Sequence, residues 1–307
     1  IDVPVYLLPG NHDPLDAASV YTSALFLADC PDNVTVLDRA GAWEVRPGLE
    51  IVAAPWRSKK PTTDLTAGVL ADLEADGTAR ILLAHGAVDS LDPDRDNPAQ
   101  ISTAGLNAAI ERSAVHYVAL GDKHSRTAVG DSGRVWYSGS PEVTNYDHKE
   151  ADSGHVLVVD IDLDSPAHPV TVDSRTVGTW RFLTLRREVN DSRDIADLNL
   201  NLDELPDKDR TVVKLGLVGT LTVTDRASLD ACIDRHSLRF AALNIWERNT
   251  DIAVMPADGE FDDLGIGGFA ADAVAELVAT ARSEGADAGA ARGALALLLR
   301  LKEGSAA

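Results

Sequence analysis

Val118-Ala119-Leu120-Gly121-Asp122-Lys123-His124 joins a short apolar run to a glycine, and then to a carboxylate and an imidazole two positions apart. The run has the aliphatic content of a buried strand and is too short for a stable helix, so the polar pair falls at a strand tip. The same layout occurs twice upstream. Ile81-Leu82-Leu83-Ala84 ends in His85 and Gly86, and Leu7-Leu8 leads through Pro9 and Gly10 into Asn11, His12 and Asp13. Gly10 permits a sharp turn off its strand, which lets Asn11 and His12 point from the strand tip into one site. An α/β sheet presents its ligand crevice at strand ends, so tips of this kind predict a shared site. Taken singly, His85 reads sooner as a packing histidine than as a ligand, and Gly-Asn-His-Asp could be an ordinary turn. Occurring in order, they supply amide oxygen, imidazole and carboxylate, a donor set suited to Mn, Fe, Zn or Mg. A fourth segment, Trp136-Tyr137-Ser138-Gly139-Ser140-Pro141-Glu142, reads alone as a simple turn. Beside the other three it reads as a turn bringing N–H groups and hydroxyls toward a phosphate.

Outward from these tips, strand and helix alternate. Strands are expected at 3–8, 34–37, 49–54, 80–84 and 115–120, and helices at 16–28, 64–74 and 103–112. This order predicts an α/β layered β-sandwich domain over residues 1–165, closed by antiparallel strands at 134–137 and 154–162. Strands at 179–188, 211–217 and 242–246, with helices at 191–202 and 225–240, predict a small α+β domain over 166–255. Two Ala- and Leu-rich stretches, 269–282 and 286–301, predict a helical hairpin in the segment 256–307.

Composition excludes several classes. The 307 residues are 45% hydrophobic and 25% charged, which fits a folded globular chain and neither a disordered nor a collagen-like one. No apolar run approaches the ~20 residues needed to cross a bilayer, and a cytoplasmic location without membrane association is expected. Cys30 and Cys232 lie far apart and form no Cys-x-x-Cys pair, so both read as packing residues. No Gly-x-Ser-x-Gly elbow and no Gly-x-x-x-x-Gly-Lys phosphate loop is present, so any ATPase activity must come from a partner. The 49 acidic against 28 basic residues give a net charge of −21, which should repel nucleic acid unless metal ions, a basic strip or a partner compensates. The same acidity equally fits solubility or a saline cytoplasm. Arg57, Lys59 and Lys60, in a Pro-flanked loop, and Arg126 are the candidate phosphate contacts, which Arg186 and Arg187 could extend. Val3-Pro4-Val5-Tyr6-Leu7-Leu8 already reads as a buried strand, so the chain is expected to be cut at its N-terminal side.

The ordered set Gly-Asn-His-Asp, strand-end His-Gly, Gly-Asp-x-His and Tyr-Ser-Gly-Ser-Pro-Glu resembles the calcineurin-like metallophosphoesterases, and within them the SbcD-type DNA-repair nuclease subunits. The Ser-Gly-Ser-Pro-Glu turn carries the narrower resemblance. The likeness covers residues 1 to about 164, and by order and position extends to a capping, DNA-binding domain and to a terminal segment that docks on an ATPase partner. It implies a metallophosphoesterase fold with two divalent ions, Mn²⁺ foremost and Mg²⁺ or Fe²⁺ as alternatives. Asn11, His85 and Asp122 would hold the second metal, and His124 would reach the first. His12 would protonate the leaving oxygen, with Asp13 orienting it. The implied reaction is hydrolysis of phosphodiesters at DNA ends by a metal-activated water or hydroxide. The implied partners are DNA, an SMC-like ATPase of the SbcC type, and a second copy in a homodimer.

Two departures qualify that expectation. Asp122 stands where the family has histidine, which should alter metal selectivity without abolishing the site. The family's opening Asp-x-His and its following Gly-Asp do not appear ahead of Gly10, so the 307 residues alone are expected to be inactive or nearly so. The alternatives are a metallophosphoesterase acting on small phosphoesters and a non-catalytic DNA-end-binding scaffold.

Overall fold

The computed structural model describes residues 3–255, 268–281, 287, 290–291, 293–295 and 297–298. It is a mixed α/β protein with four sheets among the described residues. The chain divides into two compact units, one running to Thr144 with Glu150–Thr179, the other comprising Asn145–Lys149 and the residues from Trp180 onward.

The first unit contains β1 (Val5–Leu7), α1 (Ala24–Asp29), β2 (Val34–Val36), β3 (Gly41–Arg46), β4 (Leu49–Ala54), α2 (Leu65–Ala71) and β5 (Ala79–His85). It continues with α3 (Thr103–Glu111), β6 (Tyr117–Gly121), β7 (Thr127–Ala128), β8 (Val135–Tyr137), β9 (His155–Ile161) and β10 (Val170–Thr176). Its main sheet has the order β3-β4-β5-β6-β8-β7. β4, β5, β6 and β8 run parallel, while β3 and β7 add antiparallel edges. The central strands are mostly apolar because both faces are covered. Val52, Leu82, Val118 and Val135 pack with Leu70, Leu106 and Ala109 from the helices. On the other face Ile51, Ala53 and Leu83 pack with Leu37 and with Tyr6 and Leu8 from the β1 region.

Three differences from the sequence expectation have physical causes. β8 lies parallel to β6 and does not close the sheet antiparallel, because 122–134 is long enough for a parallel crossover. β9 stays out of the main sheet and pairs along its length with β10, which places the unit boundary near 179 in place of 165. The helix expected over 16–28 shortens to a single 3-10 turn at Val20–Thr22 followed by α1, since the Ser23 side chain caps α1 by accepting from Phe26 N.

The second unit contains β11 (Arg181–Glu188), α4 (Ser192–Glu204), β12 (Thr211–Thr222), α5 (Val223–Ser237), β13 (Ala242–Ile245), β14 (Asp251–Met255) and α6 (Phe269–Ala281). β12 is the long central strand, with β11 parallel on one side and β13 then β14 parallel on the other. Asp191 caps α4 by accepting from Arg193 N and Asp194 N. Ile195, Leu198 and Leu202 of α4 and Leu229 and Cys232 of α5 bury against Val213, Leu215 and Leu217. Of the expected terminal hairpin, the first arm is α6; the described part of the second is helical at 290–291, 293–295 and 297–298, and the rest lies outside the described residues. Among the described residues no helix is long and apolar enough to cross a membrane.

Candidate metal centre

The register of the main sheet sets His85 opposite Gly121, so the tips of β5 and β6 are level. Pro9 O accepts from Trp56 N at 3.1 Å, which brings the turn after β1 to the same end of the sheet. The His85 ring lies between two glycine backbones. A Cβ at Gly10 would stand 2.7 Å from His85 Nδ1, and one at Gly121 2.8 Å from the same atom. Any side chain at either position collides with the imidazole, so these glycines are fixed by close approach. Trp56 completes the cradle: its ring meets His85 edge-on at 5.6 Å, and its Nε1–H donates to His85 O at 2.6 Å.

Asn11, His85 and Asp122 are brought together. His85 Nε2 is 3.0 Å from Asn11 Oδ1 and 3.6 Å from Asp122 Oδ1, and Asn11 Nδ2 is 3.4 Å from Asp122 Oδ1. Ligands about 2.1 Å from one cation stand roughly 3.0–3.4 Å from each other; the 3.0 Å His85–Asn11 edge falls in that range and the 3.6 Å His85–Asp122 edge just outside it, while the contact of Asn11 with Asp122 runs through the amide nitrogen, which donates to the carboxylate. Asp122 takes a φ of 109°, outside the regions favoured by L-residues, which turns its carboxylate back toward His85 at a cost of roughly 1–3 kcal/mol. Among the described residues no three His, Cys, Asp or Glu side chains gather as for a metal ion. Here the third member is asparagine.

His124 is held separately. Its Nδ1 is 2.6 Å from Glu150 Oε1 and 2.8 Å from Thr144 Oγ1, and Glu150 is almost fully buried. Glu150 also accepts from Thr144 N at 2.9 Å and from Thr144 Oγ1 at 2.5 Å. Metal-binding histidines commonly give their second ring N–H to a carboxylate, which leaves Nε2 for the metal, and His124 has that arrangement. The Ser-Gly-Ser-Pro-Glu turn sits directly on this strand end. Ser140 N donates to His124 O at 2.9 Å, and a Cβ at Gly139 would stand 2.7 Å from both His124 O and Arg126 N. The turn thus fixes the backbone of His124, while Glu142 accepts from Thr179 N and Oγ1.

The remaining candidates have diverse surroundings. His12 is exposed, with no hydrogen-bond partner among the described residues. Asp13 spends both carboxylate oxygens elsewhere: Oδ1 accepts from Gly10 N at 2.9 Å, and Oδ2 accepts from the Tyr21 hydroxyl. Burial and this carboxylate raise the Tyr21 phenol well above its ordinary value. Arg126 forms an ion pair with Asp152 at 2.9 Å, and Arg57 donates to Asp38 O at 2.7 Å. Lys59 and Lys60 are exposed and pair with no carboxylate among the described residues. Glu150, Thr144, Trp56 and Tyr21 escaped the sequence reading. The Glu150 and Thr144 contacts reach across 26 and 20 positions, and neither residue lies on a periodic segment.

No family model matches the chain, and no curated protein matches its sequence. The functional reading therefore rests on the geometry and on the order of the motifs.

Proposed function

We propose that this chain is a metal-dependent phosphodiester hydrolase acting on DNA ends, the nuclease subunit of an SbcCD-like repair complex with an SMC-like ATPase partner. The observation that carries the reading is the convergence of Asn11, His85 and Asp122 at the level tips of adjacent parallel strands, with His85 Nε2 3.0 Å from Asn11 Oδ1 and 3.6 Å from Asp122 Oδ1. The narrowing to DNA ends rests on the order of the motifs and on the Ser-Gly-Ser-Pro-Glu turn, which packs on His124.

In this reading Asn11, His85 and Asp122 hold one divalent ion, with Mn²⁺ favoured by the oxygen-rich set, and His124 offers Nε2 to a second. Bound metal would supply an activated water and neutralise charge developing on the phosphate. The chain's own residues do the rest. His12, exposed beside Asn11, is free to give a proton to a leaving oxygen, a role suited to imidazole near neutral pH. Asp13, through Gly10 N and Tyr21, fixes the turn that carries His12. Lys59 and Lys60 offer uncommitted positive charge to a phosphodiester in a chain of net charge −21.

The test has two parts. Mn²⁺ titration of the chain, followed by electron paramagnetic resonance, should show a site that Asp122→Ala and His85→Ala each remove. The native polypeptide, assayed with Mn²⁺ on linear DNA, closed circular DNA and a chromogenic phosphodiester, should prefer linear DNA and lose turnover with His12→Ala. Equal action on the small diester would move the assignment to a generic phosphoesterase, and metal binding without any turnover to a scaffold.

A further inference from the structure

The sheet of the second unit has an interrupted edge. β13 pairs with Val212–Leu215 of β12 and β14 with Val218–Thr222 on the same side, so Gly216 and Leu217 have no strand partner there. The chain between the two strands leaves the sheet at Trp246, whose N donates to Leu215 O at 2.7 Å, and loops out through the 3-10 turn Glu247–Asn249. Leu217 N is left to donate to Thr250 Oγ1 at 3.2 Å. The missing strand opens a cleft of about 360 Å³ between this gap and α5. Buried Leu217 and Leu229 form its floor, and Ile233, Ile245 and Ile252 its walls. Along its rim run Arg226, Asp230 and Asp234, one helical turn apart on α5. Arg226 is committed to Asp230, with Nε 3.0 and 3.1 Å from the two carboxylate oxygens. Asp234 is exposed and forms no ion pair among the described residues. Its neighbour Arg235 donates to Asn199 Oδ1 at 3.1 Å, and the last turn of a helix adds its own negative potential. Among the described residues β13 and β14 pair with β12 alone, so their outer edge offers free N–H and C=O groups.

We infer that this edge and cleft form a docking site for an extended segment of a partner protein that carries an apolar and a basic side chain two positions apart. Side chains alternate along a strand, so residues i and i+2 face the same way. A segment added to the edge of β14 turns one such set toward α5. An aliphatic side chain then enters the cleft over Leu217, and a lysine or arginine two positions away meets Asp234. Backbone hydrogen bonds to the edge give affinity without regard to sequence, while the cleft and the carboxylate give selectivity. A helical partner would leave the edge groups unused. An acidic segment is opposed both by Asp234 and by the net charge of −21. The site lies wholly within the second unit and stands apart from the chemistry proposed for the first.

The test is a titration of the full chain, labelled at amides and isoleucine methyls, with two peptides of one composition. In Thr-Leu-Thr-Lys-Thr-Leu the Leu and Lys side chains share a face, whereas in Thr-Thr-Leu-Lys-Leu-Thr the Lys faces away from both Leu. The first should shift the methyls of Ile233, Ile245 and Ile252, slow exchange of the Asp251–Met255 amides, and bind roughly 3- to 5-fold more tightly than the second. Asp234→Asn, an exposed change, should remove that advantage, and Asp197→Asn, the same change of charge on α4, should leave it in place. Methylating the alternate set of peptide nitrogens that faces the edge should weaken binding roughly 10-fold. Equal affinity for the two orders, no effect from methylating either set, or equal effects of the two Asp variants would overturn the proposal, the last by reducing it to attraction to net charge. Shifts confined to other surfaces, or no shifts, would overturn it as well. Hexylammonium moving the same methyls where the peptides do not would replace the partner segment by a small amine.

Discussion

His85 and His124 stand at the tips of the same sheet, yet the first is wedged between Gly10 and Gly121 with Trp56 against it, and the second is half exposed and directed by Glu150. One ring is placed by steric exclusion. Its surroundings are backbone and a large aromatic, which can shift only by moving strands. The other is placed by hydrogen bonds from a loop, which can be strengthened, loosened or redirected at small cost. Under the proposed function, one ring would give the site a fixed location and the other would leave one coordination direction adjustable.

The strongest way to break this contrast is to fill the rigid side. Gly121→Ala should expel the His85 ring, lowering Mn²⁺ affinity roughly 100-fold and destabilising the first unit by about 1–3 kcal/mol, read by titration and by Tm. An unchanged affinity would show that the cradle does not fix the ligand. Next comes a histidine fixed more tightly than either. His116 is buried, and burial, with His168, Arg134 and Arg80 nearby, holds its imidazole down at about 4. The unfolded chain titrates near 6.5, so it takes up the proton first; this contribution is complete above about pH 6.5 and is lost as pH falls toward 4. Between pH 7 and pH 5 the loss should be about 2 kcal/mol in wild type, and denaturant melts of His116→Gln should show a flatter dependence. A parallel slope in the variant would move the acid sensitivity elsewhere.

Smaller changes sharpen the contrast. Asp122→His should raise the affinity ratio of Zn²⁺ to Mn²⁺ about 10-fold in competition titrations, since imidazole suits the softer ion. Trp56→Phe removes the Nε1–H donor to His85 O and keeps a ring edge, so it should cost about 1 kcal/mol of stability. Mn²⁺ affinity in that variant should stay within about threefold, because the glycine walls remain. A larger loss of affinity would show that the rigid side depends on this one hydrogen bond.

How far the sequence disclosed these features follows from the range of the interactions. The central strands were legible because short aliphatic runs bounded by glycine have few other folded uses. β3 was not, since none of Gly41–Arg46 is fully buried and its pattern is diluted by the exposed Glu44 and Arg46. β14 was missed for a different reason: Asp251–Met255 gains its pairing only by continuing along the unusually long β12, a fact of tertiary geometry. At the site, Asn11, His85 and Asp122 were legible because each lies beside a glycine at a strand tip. The use of those glycines was not, because nothing local to Gly10 reveals that His85 will press against it. Asp13 was expected to orient His12, and instead its oxygens meet Gly10 N and Tyr21.

The His85 cradle also has a consequence for synthesis: it draws only on residues up to Gly121, so it can close while the chain from Asp122 onward is still being made at roughly 5–20 residues per second.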